Sequence, residues 1–189
     1  MGRPLFLPLK FLVDLLVSLV LWVYFTLGFA IFFLLRYLIG SHEPAARELR
    51  FQRLHNQFFS GFFFLIRTLS PGLRLEVGPG VRELKGAVLV SNHLSLMDPL
   101  LMIWLFPRCK TILKPGWLRV PIFGWFTRGC GYVPAGEGAW TGAEAEQRLA
   151  QLSTYLAGGG NLFIFPEGTR GRHGTVGPFR RGAFALAQA

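Results

Sequence analysis

Residues 11–35, FLVDLLVSLVLWVYFTLGFAIFFLL, form an apolar run whose one charged residue is Asp14. As an α-helix with a rise of 1.5 Å per residue, the run is about 37 Å long, which exceeds the ~30 Å hydrocarbon core of a bilayer. It is too long for the apolar region of a signal peptide, and no small-x-small cleavage site follows it. We therefore predict a membrane-spanning helix, with a re-entrant element that breaks at Gly28 as the alternative.

Basic residues are distributed unequally on the two sides of this run. Arg36 and the basic segment after it outweigh Arg3 and Lys10 before it. The positive-inside bias then places the rest of the chain on the cytoplasmic side. The predicted location is the cytoplasmic (inner) membrane, with the following domain facing the cytoplasm.

The composition also favours a membrane protein. Hydrophobic residues make up 51% of the chain and charged residues only 16%, and most of the 19 phenylalanines lie before residue 70. The formal net charge of +10 fits nucleic acid, or else an anionic bilayer surface and phosphate-bearing ligands. Because the basic residues are dispersed along a strongly apolar chain, we expect the bilayer and no nucleic-acid partner.

The two cysteines, Cys109 and Cys130, do not suggest a metal site. They form no CxxC motif and no Cys/His cluster with zinc spacing, so no metal is predicted. Two separate thiols in a reducing compartment is the favoured interpretation, and a disulfide between them is the alternative. Neither cysteine has the histidine context of a catalytic nucleophile.

A second helix is predicted over residues 43–69. Its apolar residues follow mostly helical spacing, and Arg47, Arg50 and Arg53 lie among them near the start. The spacing is carried by Leu49, Phe51, Leu54, Phe58, Phe62, Leu65 and Leu69. Because FFSGFFFLI is more apolar than one buried face requires, we favour an in-plane membrane helix over a core helix of the following domain. Residues 1–70 are thus predicted to be membrane-anchoring helices, and 71–189 a second unit.

In the second unit, short apolar strands alternate with helical patterns. Strands are predicted in GAVLVSNH, KTILK, YVP and NLFIF, and a short helix or loop in VPIFGWFTRGCG. Asp98 followed by Pro99 predicts a helix with Asp98 as its N-cap. Another helix begins at the capping box 141–144 and ends at the glycines 158–160, and the last helix begins at Arg180. Strands that alternate with helices indicate an α/β domain.

His93 and Asp98, in SNHLSLMDP, follow a predicted strand and lie at the start of a predicted helix. This is where α/β folds place side chains that face a ligand. An imidazole can remove a proton from a hydroxyl near neutral pH, and a carboxylate on its other nitrogen fixes the tautomer. The alternative is that Asp98 only caps the helix and His93 is an ordinary loop residue.

A second polar segment, FPEGTR from Phe165 to Arg170, directly follows the predicted strand NLFIF. Its glycine allows close approach of the backbone to a ligand, Thr169 offers a hydroxyl, and the Arg170 guanidinium matches a phosphate. Taken without context, the segment is also typical of a strand-to-loop turn with a surface arginine.

Taken together, NHLSLMD and FPEGTR resemble the glycerolipid acyltransferase family, which includes the 1-acyl-sn-glycerol-3-phosphate acyltransferases. They match its Asn-His-x4-Asp and Phe-Pro-Glu-Gly-Thr-Arg motifs. KPGWLRVPIFG between them is similar to the family's lysine and Pro-x-x-Gly segment, and PFRRGAFALA to the stretch after the third motif. The resemblance covers residues 71–189, and the apolar N-terminus fits the family's membrane anchor.

The resemblance implies a reaction and roles for the motif residues. His93 would be the general base that activates the acceptor hydroxyl, and Asp98 would orient it. The hydroxyl would attack an acyl thioester directly, which agrees with the absence of a GxSxG nucleophile motif. Acceptor binding would fall to Glu167, Gly168, Thr169 and Arg170, with Arg170 on the phosphate, and to Lys114.

The fold implied by the resemblance is a mixed sheet flanked by helices, preceded by a membrane-embedded helical segment. The implied acceptor is a lysophospholipid, first of all 1-acyl-sn-glycerol-3-phosphate, which yields phosphatidic acid. The acyl donor would be acyl-CoA or acyl-carrier protein as co-substrate, with no cofactor and no metal. A non-catalytic, membrane-anchored lipid-binding protein is the alternative of a different class.

The chain departs from the family pattern in two places. Gly136 and Glu137 stand where the family has a phosphate-binding arginine, for which Arg128, Arg172, Arg180 or Arg181 would have to compensate. A phosphate-free acceptor of the lyso-ornithine type is therefore a second possibility. The family also has further strands after the last helix, so we expect a sequence truncated at its C-terminus, with little activity in residues 1–189 alone.

Overall fold

The N-terminal apolar run is helical throughout in the computed structural model. The structure describes residues 6–39, 43–70, 72–121, 123–135, 142–171 and 175–179. Helix α1 (Phe6–Val23) continues into a π-helical stretch (Tyr24–Phe33) and then into α2 (Leu34–Leu38). By length and composition, the helix over Leu9–Ile31 is able to cross a bilayer. A membrane-spanning helix therefore stays a prediction. The re-entrant alternative needs a break at Gly28, where the backbone is instead continuous and π-helical.

Helix α3 (Pro44–Leu69) packs closely against the π-helical stretch. The Tyr24 ring stacks on Phe58 with centroids 5.0 Å apart, and its hydroxyl donates to the Phe58 carbonyl at 2.7 Å. A methyl group at Gly61 would overlap the Tyr24 hydroxyl, so glycine at this position leaves room for the Tyr24 ring between the two helices. The N-terminal helix is thus fixed to the domain.

The apolar face of α3 is buried in the protein core. Its side chains contact α4 (Met97–Leu105) and α6 (Phe123–Gly129). The short helix α5 (Pro115–Arg119) precedes α6 along the chain. The buried apolar residues are Phe51, Leu54, Phe58, Phe59, Phe62, Phe63 and Ile66. This face supports the core-helix alternative over the in-plane membrane helix that we favoured from composition. The division of the chain at residue 70 stays a prediction.

In the part of the chain that the structure describes, four strands form the sheet, in the order β1-β4-β2-β3. They are β1 (Val88–Val90), β2 (Cys109–Leu113), β3 (Val133–Pro134) and β4 (Asn161–Ile164). All three strand pairs of the described residues are parallel, where the resemblance implied a mixed sheet. The predicted α/β class is confirmed. The inner strand β4 is buried along its whole length, as NLFIF predicts.

Helices cover both faces of this sheet. Phe163 of β4 lies in the cluster with α3, α4 and α6, whereas Leu162 and Ile164 pack against Leu152 of α7 (Gly142–Ala157). This alternation follows from the two-residue period of a strand. Because the strands are parallel, the loops that follow them emerge at one edge, which we call the carboxyl edge.

The N-cap that the sequence indicates for α4 is wrong in detail. The helix begins at Met97, one residue before Asp98, and the Ser95 hydroxyl accepts a hydrogen bond from the Met97 amide at 3.1 Å. The Asp98 carboxylate points back to the preceding loop. The predicted helix start at Thr141 and the helix from Arg180 onward lie outside the described residues.

Candidate active site

His93 and Asp98 meet at the carboxyl edge. The loop that carries His93 follows β1, and its Ser91 amide continues the β1–β4 pairing with a bond to the Ile164 carbonyl at 3.2 Å. His93 Nδ1 lies 3.0 Å from Asp98 Oδ2. The His93 side chain is 17% exposed and that of Asp98 is 25% exposed, so the pair is shielded but reachable from solvent.

The Asp98 carboxylate is held in place by the loop itself. The same oxygen, Oδ2, accepts hydrogen bonds from the Leu94 and Ser95 amides, each at 2.7 Å. These bonds satisfy an ionised carboxylate, which then accepts the Nδ1 proton of His93. The arrangement leaves His93 Nε2 as the basic nitrogen. The sequence prediction of a His–Asp pair across this turn agrees with the geometry.

The Phe165 ring orients the His93 imidazole. The two rings are stacked, with centroids 4.2 Å apart and an interplanar angle of 19°. Phe165 is itself braced edge-on by Phe163 of β4, at 5.6 Å between centroids. The imidazole therefore has two fixed constraints, the carboxylate at Nδ1 and the phenyl ring on its face.

The segment FPEGTR also holds the backbone of His93. The His93 amide donates to Glu167 Oε1 at 3.0 Å, and the His93 carbonyl accepts from the Gly171 amide at 2.7 Å. The other carboxylate oxygen of Glu167 accepts from the Gly177 amide at 3.0 Å. Glu167 is only 4% exposed. The two motifs, about seventy residues apart in sequence, are thus joined through the backbone of the candidate base.

A tight turn aims Glu167 inward. The Gly168 amide donates to the Phe165 carbonyl at 3.0 Å, and Pro166 takes the second position, where its fixed φ is favourable. Gly168 has φ +67°, a left-handed conformation that favours glycine. The chain beyond the turn then passes close to His93.

The remaining predicted acceptor-binding residues lie at the same edge. Thr169 and Arg170 are exposed just after the turn, and Lys114 is exposed directly after β2. Within the described residues, Arg170 makes no hydrogen bond or ion pair. Arg128 is used elsewhere, since its guanidinium donates to the Leu118 carbonyl. The contacts of Thr169, Arg170 and Lys114 with an acceptor stay predictions. The same holds for the acceptor contacts of Glu167 and Gly168.

Gly136 and Glu137, which depart from the family pattern, lie outside the described residues. Arg172, Arg180 and Arg181 lie outside them as well. Within the described ranges, no group of three His, Cys, Asp or Glu side chains could hold a metal ion.

The two cysteines are free thiols, as the sequence analysis favoured. Cys109 and Cys130 are buried, and this burial raises the pKa of both thiols.

Sequence reasoning missed three contributors to this arrangement. Phe165 belongs to the recognised motif, but no role was assigned to its ring. The amides of Gly171 and Gly177 carry no side-chain signal at all, because a backbone donor is present at almost every position. The position of Phe165 at the end of a buried strand was the available signal.

The sequence matches the acyltransferase family model over residues 77–189. It is 37% identical over 102 residues to a chloroplastic 1-acyl-sn-glycerol-3-phosphate acyltransferase of Arabidopsis thaliana, a match that covers 53% of this chain and 28% of the relative. It is 30% identical over 147 residues to human 1-acyl-sn-glycerol-3-phosphate acyltransferase beta, covering 71% of this chain and 49% of that one. The chain therefore spans half or less of the length of these relatives.

The fold is similar to that of a solved structure. The crystal structure of the 1-acyl-sn-glycerophosphate (LPA) acyltransferase PlsC from Thermotoga maritima superposes with a TM-score of 0.60 at 22% identity. The match covers 94% of this chain and 68% of the other. At this identity the similarity establishes the fold.

Proposed function

Because the chain belongs to the acyltransferase family, we propose that it moves a fatty acyl group from a thioester donor to the hydroxyl of a lysophospholipid. The first candidate acceptor is 1-acyl-sn-glycerol-3-phosphate, which is then converted to phosphatidic acid. The donor is acyl-CoA or acyl-carrier protein. The names of the relatives support this acceptor, and the charge of the carboxyl edge agrees with it.

The observation that carries the proposal is the His93–Asp98 pair and its fixed orientation. His93 Nδ1 bonds to a carboxylate that two loop amides hold in place, so Nε2 is the nitrogen available for catalysis. A histidine held in this way is suited to act as a general base on a hydroxyl.

The reaction then needs no covalent enzyme intermediate. His93 Nε2 takes the proton of the acceptor hydroxyl as its oxygen attacks the thioester carbonyl carbon. The tetrahedral species collapses, the C–S bond breaks, and the thiol leaves with a proton returned by the imidazolium. Asp98 stabilises the positive charge on His93 during these steps.

Acceptor binding is proposed for the cationic part of the carboxyl edge. Arg170 and Lys114 offer positive charge for a phosphate, and Thr169 offers a hydroxyl. Holding the phosphate there would place the acceptor hydroxyl beside His93, and such positioning supplies a large part of a rate enhancement.

The proposed location is the cytoplasmic face of the inner membrane. The largely exposed apolar helix over Leu9–Ile31 supports a membrane anchor, and the excess of basic residues after it supports the cytoplasmic orientation. No nucleic acid enters this proposal.

The test compares acceptors and donors in membranes that contain the full-length protein. We expect acylation of 1-acyl-sn-glycerol-3-phosphate by acyl-CoA or acyl-carrier protein, and a loss of nearly all turnover in His93→Ala while lipid binding survives. Preference for a lyso-ornithine lipid would transfer the proposal to the phosphate-free acceptor suggested by Gly136 and Glu137. Lipid binding without turnover for any acceptor–donor pair would support the non-catalytic alternative.

A further inference from the structure

Exposed apolar side chains gather at the carboxyl edge of the sheet. They lie on the three connections that follow β1, β2 and β4, the second of which contains α5 and leads to the first residue of α6, and each is more than 40% exposed. We call this set the apolar rim; its members are Leu94, Leu96, Trp117, Val120, Phe123, Val176 and Phe179. Because His93 lies on the first of these connections, the rim borders the candidate active site.

The exposed charged residues described on the same connections are all basic. Lys114, Arg119 and Arg170 are exposed. The two carboxylates at this edge already have partners in the protein. Asp98 accepts hydrogen bonds from two loop amides and from His93, and the buried Glu167 accepts hydrogen bonds from two backbone amides. In the described parts of these connections, the solvent therefore meets apolar groups and cations.

The segment before β1, at the opposite edge of the sheet, differs. Before β1, the exposed residues Arg82, Glu83 and Lys85 carry both signs of charge. Leu84 is 42% exposed among them and stands alone as a large apolar residue in this short segment. A single exposed leucine between opposite charges is ordinary protein surface.

We propose that the apolar rim is a second membrane contact, separate from the N-terminal helix, and that it docks on a bilayer with anionic headgroups. Apolar side chains interspersed with cations, without exposed carboxylates, match the boundary between headgroups and acyl chains. Trp117 is suited to this depth because its ring is amphipathic. The three cations complement anionic lipid.

The docking deepens the proposed function, on which it rests in part. A lysophospholipid keeps its acyl chain in the bilayer and its hydroxyl at headgroup level. With the rim in the interface, His93 faces that level, so the acceptor reaches the base without leaving the lipid. The inference concerns the position of the protein, and it is testable without turnover.

The experiment measures the depth of nitroxide labels on the full-length protein in phosphatidylglycerol-containing vesicles. Single cysteines are placed at Leu96 and Val176 in the rim, and at Leu84 as the matched control. The native cysteines, Cys109 and Cys130, are 3% and 0% exposed, so the label goes to the introduced site. Power-saturation spectra then compare collisions with oxygen, which partitions into lipid, and with a water-soluble nickel complex.

We expect the oxygen-to-nickel ratio to be several-fold higher for Leu96→Cys and Val176→Cys than for Leu84→Cys. In vesicles of phosphatidylcholine alone, we expect this difference to shrink because the cations lose their partners. Equal ratios at all three sites would overturn the docking. So would shielding of the rim labels from both reagents, which would indicate a protein partner. These outcomes are independent of acyl transfer, so a failed inference is distinguishable from a failed function.

Discussion

Replacing Glu167 by glutamine tests how the two motifs cooperate. In the structure, one carboxylate oxygen accepts the His93 amide and the other accepts the Gly177 amide, each at 3.0 Å. Glutamine keeps one carbonyl oxygen, and its –NH₂ group would face the second amide as a donor against a donor. The variant therefore loses one hydrogen bond to a charged group and leaves a buried amide without a partner.

The expected magnitudes follow from this loss. A hydrogen bond to a charged group contributes about 1.5–3 kcal/mol, so Glu167→Gln should lower the free energy of unfolding by about 2 kcal/mol. The backbone of His93 would shift with the released loop, and a misplacement of about 1 Å can lower kcat on the order of 100-fold. Because Glu167 is buried and both of its carboxylate oxygens bond to backbone amides, the KM for the acceptor should stay within about twofold of its original value.

The assay is steady-state acyl transfer at varied acceptor concentration, with Glu83→Gln as the matched control. Glu83 is exposed and should tolerate the change, with kcat and KM unaltered. A raised KM with an unchanged kcat in Glu167→Gln would refute the reasoning, because it would mean that the carboxylate contacts the acceptor directly, as the family resemblance first implied.

Two further predictions concern buried groups away from this loop. Burial lowers the pKa of His55 from 6.5 to about 4, so the folded protein binds fewer protons than the unfolded chain between these values, and stability falls as the pH drops from 6.5 towards 4. The loss of stability is at most about 3 kcal/mol. Unfolding of the natural protein in micelles should show this loss, and the stability of His55→Gln should depend less on pH. An identical pH dependence of the two proteins would contradict this assignment. Burial raises the pKa of the Cys109 and Cys130 thiols, so iodoacetamide at pH 8 should not modify the folded protein. After denaturation, mass spectrometry should show two added groups. An adduct on the folded protein would show that a thiol is accessible.

The sheet could be predicted from the sequence because its strands are short apolar runs bounded by residues that break regular structure. NLFIF and KTILK correspond to β4 and β2, and the helix over 44–69 was anticipated almost to the residue. Its environment was misjudged, since a helix packed on two sides is as apolar as one that lies in lipid. Only the tertiary contacts of α3 distinguish the two cases.

The pairing of His93 with Asp98 was likewise predicted, because five residues across a turn bring the two side chains together. The contacts of Glu167 with backbone amides were not predicted. A motif states which side chain is present, but the partners of this carboxylate are backbone amides that no sequence pattern marks. The cap of α4 was misassigned for a related reason, since Asp98 bonds to amides before the helix and not within it.

The central claim is that His93, oriented by Asp98, activates a lipid hydroxyl for direct acyl transfer. The chain has two aspartates. Asp14, the one outside the candidate site, is exposed in the N-terminal helix, which makes it a matched control. The decisive measurement is the rate of diacyl-lipid formation by the full-length protein and its His93→Ala, Asp98→Asn and Asp14→Asn variants, each in membranes at equal protein level. We predict that His93→Ala and Asp98→Asn abolish nearly all product while Asp14→Asn retains the original rate. Full activity of His93→Ala would contradict the account.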